Sequence, residues 1–120
     1  MHAYYPMCGC SSCCEIEARA RRTAEAVESA TGDVVASLLP CADFVADALA
    51  GDPHLWEPAV AAALASGDDA EAGRIMRREV SRFARICIQR RCDLYRITPM
   101  EAARQLIASY ARPAAGRPAA

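Results

Sequence analysis

The chain has 120 residues, of which 53% are apolar and 24% charged, with a formal net charge of −1 and no lysine. That length allows a single domain with a modest core and no disulfide staples. No stretch approaches the ~20 apolar residues of a membrane span, so no membrane association is expected.

Strand-type alternation of β-branched and aromatic residues is absent, while alanine, leucine, arginine and glutamate are plentiful. This balance predicts an all-α fold, a small bundle of about five helices with an irregular cysteine-rich arm at the N-terminus. Alanine supplies much of the apolar fraction, so the core should be thin and the helices closely spaced. One helical domain is expected over residues 1–111, with 1–11 as the arm. Residues 112–120, with two prolines and no anchor, are expected to be a disordered tail.

The first 14 residues carry neither a basic residue nor an apolar run, which is unlike a secretory signal. A cytoplasmic location follows, where thiols stay reduced. There are seven cysteines, and an odd count argues against a complete disulfide framework.

Four of the thiols fall in Cys8-Gly9-Cys10-Ser11-Ser12-Cys13-Cys14. A C-x-C-x-x-C turn can direct three sulfurs at one ion, and Gly9 relieves the backbone of such a turn. The candidate metal ligands are Cys8, Cys10, Cys13 and Cys14. Cys13 and Cys14 are adjacent and do not sit comfortably on one tetrahedral ion. Cys8, Cys10 and Cys13 therefore come first, and Cys14, His2 or Cys92 competes for the fourth position. A structural zinc is the expected cofactor, ahead of an iron–sulfur cluster or Cu(I).

Ser12 with Glu15 fits a capping box and opens the first helix, which places Cys13 and Cys14 in its first turn, where the dipole favours thiolate. Glu15 with Arg19 and Glu17 with Arg21 are favourable i,i+4 pairs. Ile16, Ala20, Thr23 and Val27 form an inward stripe, and Gly32 should close the helix. A second helix is expected over residues 33–50, with Val34, Leu38, Cys41, Val45 and Leu49 on one face and Pro40 kinking or splitting it. Pro58 starts a short third helix with Trp56, Val60, Ala63 and Leu64 inward, and Gly67 is a fitting C′ residue.

Asp68 with Glu71 caps what should be the longest helix, ending near Arg91, with Ala72, Ile75, Met76, Val80, Phe83, Ile86 and Cys87 on its apolar arc. Residues 92–97 should be a connection. Thr98-Pro99-Met100-Glu101 then starts the last helix, whose apolar face is Met100, Ala103, Leu106, Ile107 and Tyr110. Cys41 and Cys87 fall in apolar stripes and read as small core residues. His2 and His54 have no partner suggesting acid–base catalysis.

Residues 23–73 contain ten acidic side chains and no basic one, whereas residues 74–96 contain eight arginines against Glu79 and Asp93. Arg74, Arg78, Arg82 and Arg85 could track a nucleic-acid backbone. The last helix, however, offers only Arg104 and Gln105 for base contacts, and the overall balance is not basic. A solvated face paired with the acidic second and third helices is favoured.

No phosphate loop, H-E-x-x-H or nucleophile elbow is present. The sequence thus predicts a non-enzymatic accessory or regulatory module that binds a protein partner, with homodimerisation also open. A DNA- or RNA-binding regulator and a thiol-based metal or redox sensor are the alternatives.

Overall fold

A computed structural model describes residues 11–111. Among them are five α-helices and one 3-10 turn, and no strand. In chain order these are α1 (Ser11–Leu38), α2 (Ala42–Ala50), the 3-10 turn Pro53–Leu55, α3 (Glu57–Ala65), α4 (Asp69–Tyr95) and α5 (Pro99–Ala111). The expected arm at residues 1–10 and tail at 112–120 lie outside the described residues. None of the described helices is long and apolar enough to cross a membrane.

The helix boundaries differ from expectation where a single residue was given too much weight. Gly32 does not close α1, which runs through it to Leu38. A mid-helix glycine costs only about 1 kcal/mol, and burial of Ala30, Thr31, Val34 and Leu38 on both sides of it outweighs that. The Thr31 hydroxyl is satisfied by donating to the Val27 carbonyl at 2.7 Å. Ser12 lies inside the helix rather than at its cap, because helical structure already begins at Ser11.

Pro40 does end the helix. It has no N–H to give, and its ring restricts Leu39, so the helix expected over residues 33–50 is divided between α1 and α2. The Cys41 amide closes the break by donating to the Leu38 carbonyl at 2.8 Å.

The caps expected from sequence at Asp68 and Thr98 are present. Asp68 Oδ1 accepts from the Glu71 amide at 3.0 Å, and Thr98 Oγ1 accepts from the Glu101 amide at 3.2 Å. Gly67 takes φ +74° after α3, a conformation glycine reaches without strain. Residues 92–95, expected as connection, instead extend α4, and α1 rather than α4 is the longest helix, 28 residues against 27. Arg96 ends α4 in the left-handed region at φ 54°, a shape more usual for Gly or Asn.

The bundle rests on α1, α4 and α5. Glu28 of α1 meets Arg85 of α4, while Thr23 shares a groove with Cys92 and Val35 shares one with Ser81, so α1 and α4 run antiparallel. Arg91 of α4 donates to Gln105 at the middle of α5, and Tyr110 near the end of α5 reaches Asp47 of α2 and the Phe44 ring that also meets Phe83 of α4, so α5 returns alongside α4.

The main core gathers Val34, Leu38, Phe44, Val80, Ala84, Ile88, Ala102 and Leu106. Phe44 is its aromatic centre, 5.6 Å from the Phe83 ring and 5.1 Å, edge-on, from Tyr110. A smaller cluster of Val60, Ala63, Ala72 and Ile75 holds α3 on the first turns of α4, with Trp56 beside it. Leu64, expected to face inward, is exposed.

α4 explains why one apolar arc misjudged the core. Its buried residues move around the helix, from Ala72 and Ile75 under α3 to Val80, Ala84 and Ile88 between α1 and α5. A helix that changes partners along its length does not keep one stripe.

Candidate functional site

The N-terminal half of α1 is the most distinctive surface. Its apolar positions recur at alternating three- and four-residue steps through Ile16, Ala20, Thr23, Val27, Ala30 and Val34, which keeps them on one face. From Val27 onward that face is buried in the bundle. Between Cys14 and Ala26 no residue is buried, and Ile16 is 53% exposed. The inward stripe expected at Ile16, Ala20 and Thr23 therefore has the right periodicity, and no described residue buries it.

Ile16, Ala20, Thr23 and Val27 line an open groove whose other wall is Arg85 and Gln89 of α4. The same end of the bundle carries Leu94 and Tyr95 at the close of α4, 71% and 57% exposed, and Met100 at the start of α5, 43% exposed.

This helix half also carries the described part of the cysteine cluster. Cys13 is buried at 2% exposure, whereas Cys14 is exposed. Neighbours on a helix point about 100° apart, so the two thiols face different surroundings. Cys8, Cys10 and His2 lie outside the described residues.

Cys92 sits with Thr23, Val27 and Pro99, ten residues from Cys13 along α1, about 15 Å at the helical rise. Burial, helped by the charges of Asp93 and Glu101, raises the Cys92 thiol pKa and disfavours thiolate. Cys92 is thus the weakest of the three candidates for a fourth ligand. Among the described residues, no group of three His, Cys, Asp or Glu side chains is placed to hold a metal ion.

Cys41 and Cys87 are half-buried against the main core, as their stripes suggested. Burial raises the Cys87 pKa against the opposing pull of Arg90 and Arg91. His54 lies exposed in the 3-10 turn.

The arginine row is largely committed within the chain. Arg74 is paired with Glu71 at 2.7 Å, Arg85 with Glu28 at 2.6 Å, and Arg82 with Glu79 at 3.0 Å and Asp52 at 3.1 Å. The hydrogen bond to Asp52, then that to Glu79, raises the Arg82 pKa further above its already high ordinary value. Of the four arginines singled out from sequence, only Arg78 has no ion pair among the described residues. The carboxylates that meet this helix come from α1, the α2–α3 connection and α4 itself, rather than from α2 and α3.

Sequence reasoning missed the exposed Leu94 and Tyr95, and it placed Met100 on the apolar face of α5, where the side chain is instead exposed at the helix start. The available signal was that Leu94 and Tyr95 fall in a segment read as a connection, where apolar side chains need a cover. The chain matches no known protein family, no curated protein and no solved structure.

Proposed function

We propose that this chain is a small non-enzymatic accessory or regulatory module. It acts by binding another protein through the bare half of α1, and zinc held by the N-terminal cysteines shapes the arm leading into that helix. The observation that carries this is the stripe itself: the face that forms the core beyond Val27 continues through Thr23, Ala20 and Ile16, all three of which are exposed. Amphipathic helices with an uncovered apolar face suit docking against another helix or groove. The zinc part rests on the donor chemistry of Cys8, Cys10, Cys13 and Cys14. The internal pairing of Arg74, Arg82 and Arg85 weighs against the nucleic-acid alternative.

A photo-crosslinking residue placed at Ile16 tests the docking surface in cells, with exposed Ala61 on α3 as the control position. Adducts at position 16 and none at 61 are expected; equal labelling, or none at 16, removes the surface from consideration. Metal content of anaerobically purified protein, beside Cys8→Ser/Cys10→Ser, tests the arm. Near-stoichiometric zinc lost in the variant is expected. Iron with visible absorption would instead favour a redox sensor, and no metal in either protein would eliminate the zinc.

A further inference from the structure

We propose that the recess between α1 and α4 at Val35 binds a phosphate monoester, held by the Arg77 and Arg78 guanidiniums and the Ser81 hydroxyl. It lies at the other end of α1 from Ile16 and does not depend on the docking role proposed above.

Position along α4 gives the donor set. Arg74, Arg78 and Ser81 follow one another at four- and three-residue steps, so they share one face, and Arg77 flanks it. All four line the same recess with Glu71 and Val35. Arg74 is already paired with Glu71 at 2.7 Å, and Asp68 adds to the attraction. Arg77 and Arg78 are exposed and make no ion pair or side-chain hydrogen bond among the described residues. No carboxylate stands three or four residues from either, and Arg78 lies one turn from both Arg74 and Arg82. Like charges at that spacing are unfavourable in a bare helix, and an anion between them relieves the repulsion. The half-buried Ser81 hydroxyl donates to no described group.

The facing wall explains why these two charges stay uncompensated. Glu28, Gly32 and Val35 lie on one side of α1, and Glu28 gives its carboxylate to Arg85 at 2.6 Å. Further along, that side offers Val35 instead, while Asp33 falls on the opposite side of the helix. Gly32 keeps the space between them open, since a Cβ there would meet nothing within 4 Å.

Charge and extent select the ligand. A phosphate monoester carries about −1.5 to −2 at neutral pH, which matches two uncompensated guanidiniums whose planar forks fit its oxygens. A nucleic acid presents single charges at regular spacing and needs a row of available cations. Here the row is interrupted at Arg82 and Arg85, which are tied to Glu79, Asp52 and Glu28.

Titration of the full chain at constant ionic strength, followed by the arginine Nε–H and Ser81 amide resonances, tests the site. The probes are inorganic phosphate, a phosphoserine pentapeptide and an oligothymidylate. Saturable shifts centred on Arg77, Arg78 and Ser81 are expected with the first two. Arg77→Gln/Arg78→Gln should weaken binding at least tenfold, Ser81→Ala by less, and Arg90→Gln on the same helix should leave it unchanged. Glu71→Gln, which releases Arg74, should tighten it. Unchanged helical circular dichroism checks that each variant folds. A peptide bound at least tenfold more tightly than inorganic phosphate supports the proposal with a phosphorylated protein as the source; equal affinities support it with a free phosphate compound. It is overturned by absence of saturation with both phosphate probes, by shifts that survive Arg77→Gln/Arg78→Gln, or by an oligothymidylate bound more tightly than either.

Discussion

The two halves of α1 share one pattern and differ in what lies against it. Residues 27–38 place Val27, Ala30, Val34 and Leu38 in the core, while residues 14–26 continue the same face with no buried residue. Periodicity specifies a face; only the length of the neighbouring helices decides whether it is covered. Here the last turns of α4 and the first of α5 lie beside Thr23 and Val27, and the stripe runs on past them.

The largest expected difference is in the cost of truncation. Phe44→Ala removes a fully buried ring that touches Phe83 and Tyr110, and should destabilise by about 3–5 kcal/mol in denaturant unfolding. Ile16→Ala should change stability by less than about 0.5 kcal/mol under dilute, monomeric conditions. A comparable loss at both sites would mean that the N-terminal half of α1 is packed within the monomer after all. Hydrogen exchange sharpens the contrast, since amides of residues 16–26 should exchange well before those of 30–38.

Charge repeats the comparison at lower energy. Arg82→Met leaves the Glu79 carboxylate, 11% exposed, without its partner and breaks the tie to Asp52; a loss of about 2 kcal/mol is expected. Arg85→Met removes an exposed pair with Glu28 and should cost less than about 1 kcal/mol. Equal effects would show that burial of Glu79 contributes nothing.

Two glycines give smaller effects of opposite sign. A Cβ at Gly32 meets nothing within 4 Å, so Gly32→Ala should raise stability by about 0.5–1 kcal/mol through helix propensity. Gly67→Ala, at φ +74°, should lower it by about 1 kcal/mol.

The last effect is on pH. Burial, then the 2.5 Å hydrogen bond to Asp47, raises the Tyr110 pKa well above the ordinary tyrosine value. A raised folded-state pKa means that the native state holds its proton while the unfolded chain releases it. That stability is complete below about pH 10, where free tyrosine ionises, and is lost progressively above it. The unfolding midpoint should therefore fall more steeply above pH 10 in the wild type than in Tyr110→Phe.

Much of this architecture was legible in the residues. Asp68, Thr98 and Gly67 mark element ends through local chemistry that needs no tertiary context, and Pro40 breaks a helix wherever it stands. Gly32 misled because its penalty is small beside the burial around it. The break at Pro40 changes the phase between Leu38 and α2, so a face drawn through Val45 and Leu49 leaves out Phe44 and Ala48, which are the buried residues of α2. Ile88 and Ala84 were missed because α4 turns between partners. The exposed stripe was legible as a stripe; that it is left unburied depends on where α4 stops and α5 starts. The metal ligands remain a matter of donor type and spacing, because Cys8 and Cys10 precede the described residues.

Trp56 gives the molecule an optical division of its own. It is the chain's single tryptophan, its indole N–H donates to the Leu49 carbonyl at 3.1 Å, and it borders the smaller cluster rather than the Phe44 core. Its fluorescence therefore reports the seating of α3 on α4, while far-ultraviolet ellipticity reports all the helices together. If the smaller cluster releases first on heating, the emission will shift before the ellipticity falls, and the unlabelled chain will show two melting curves instead of one.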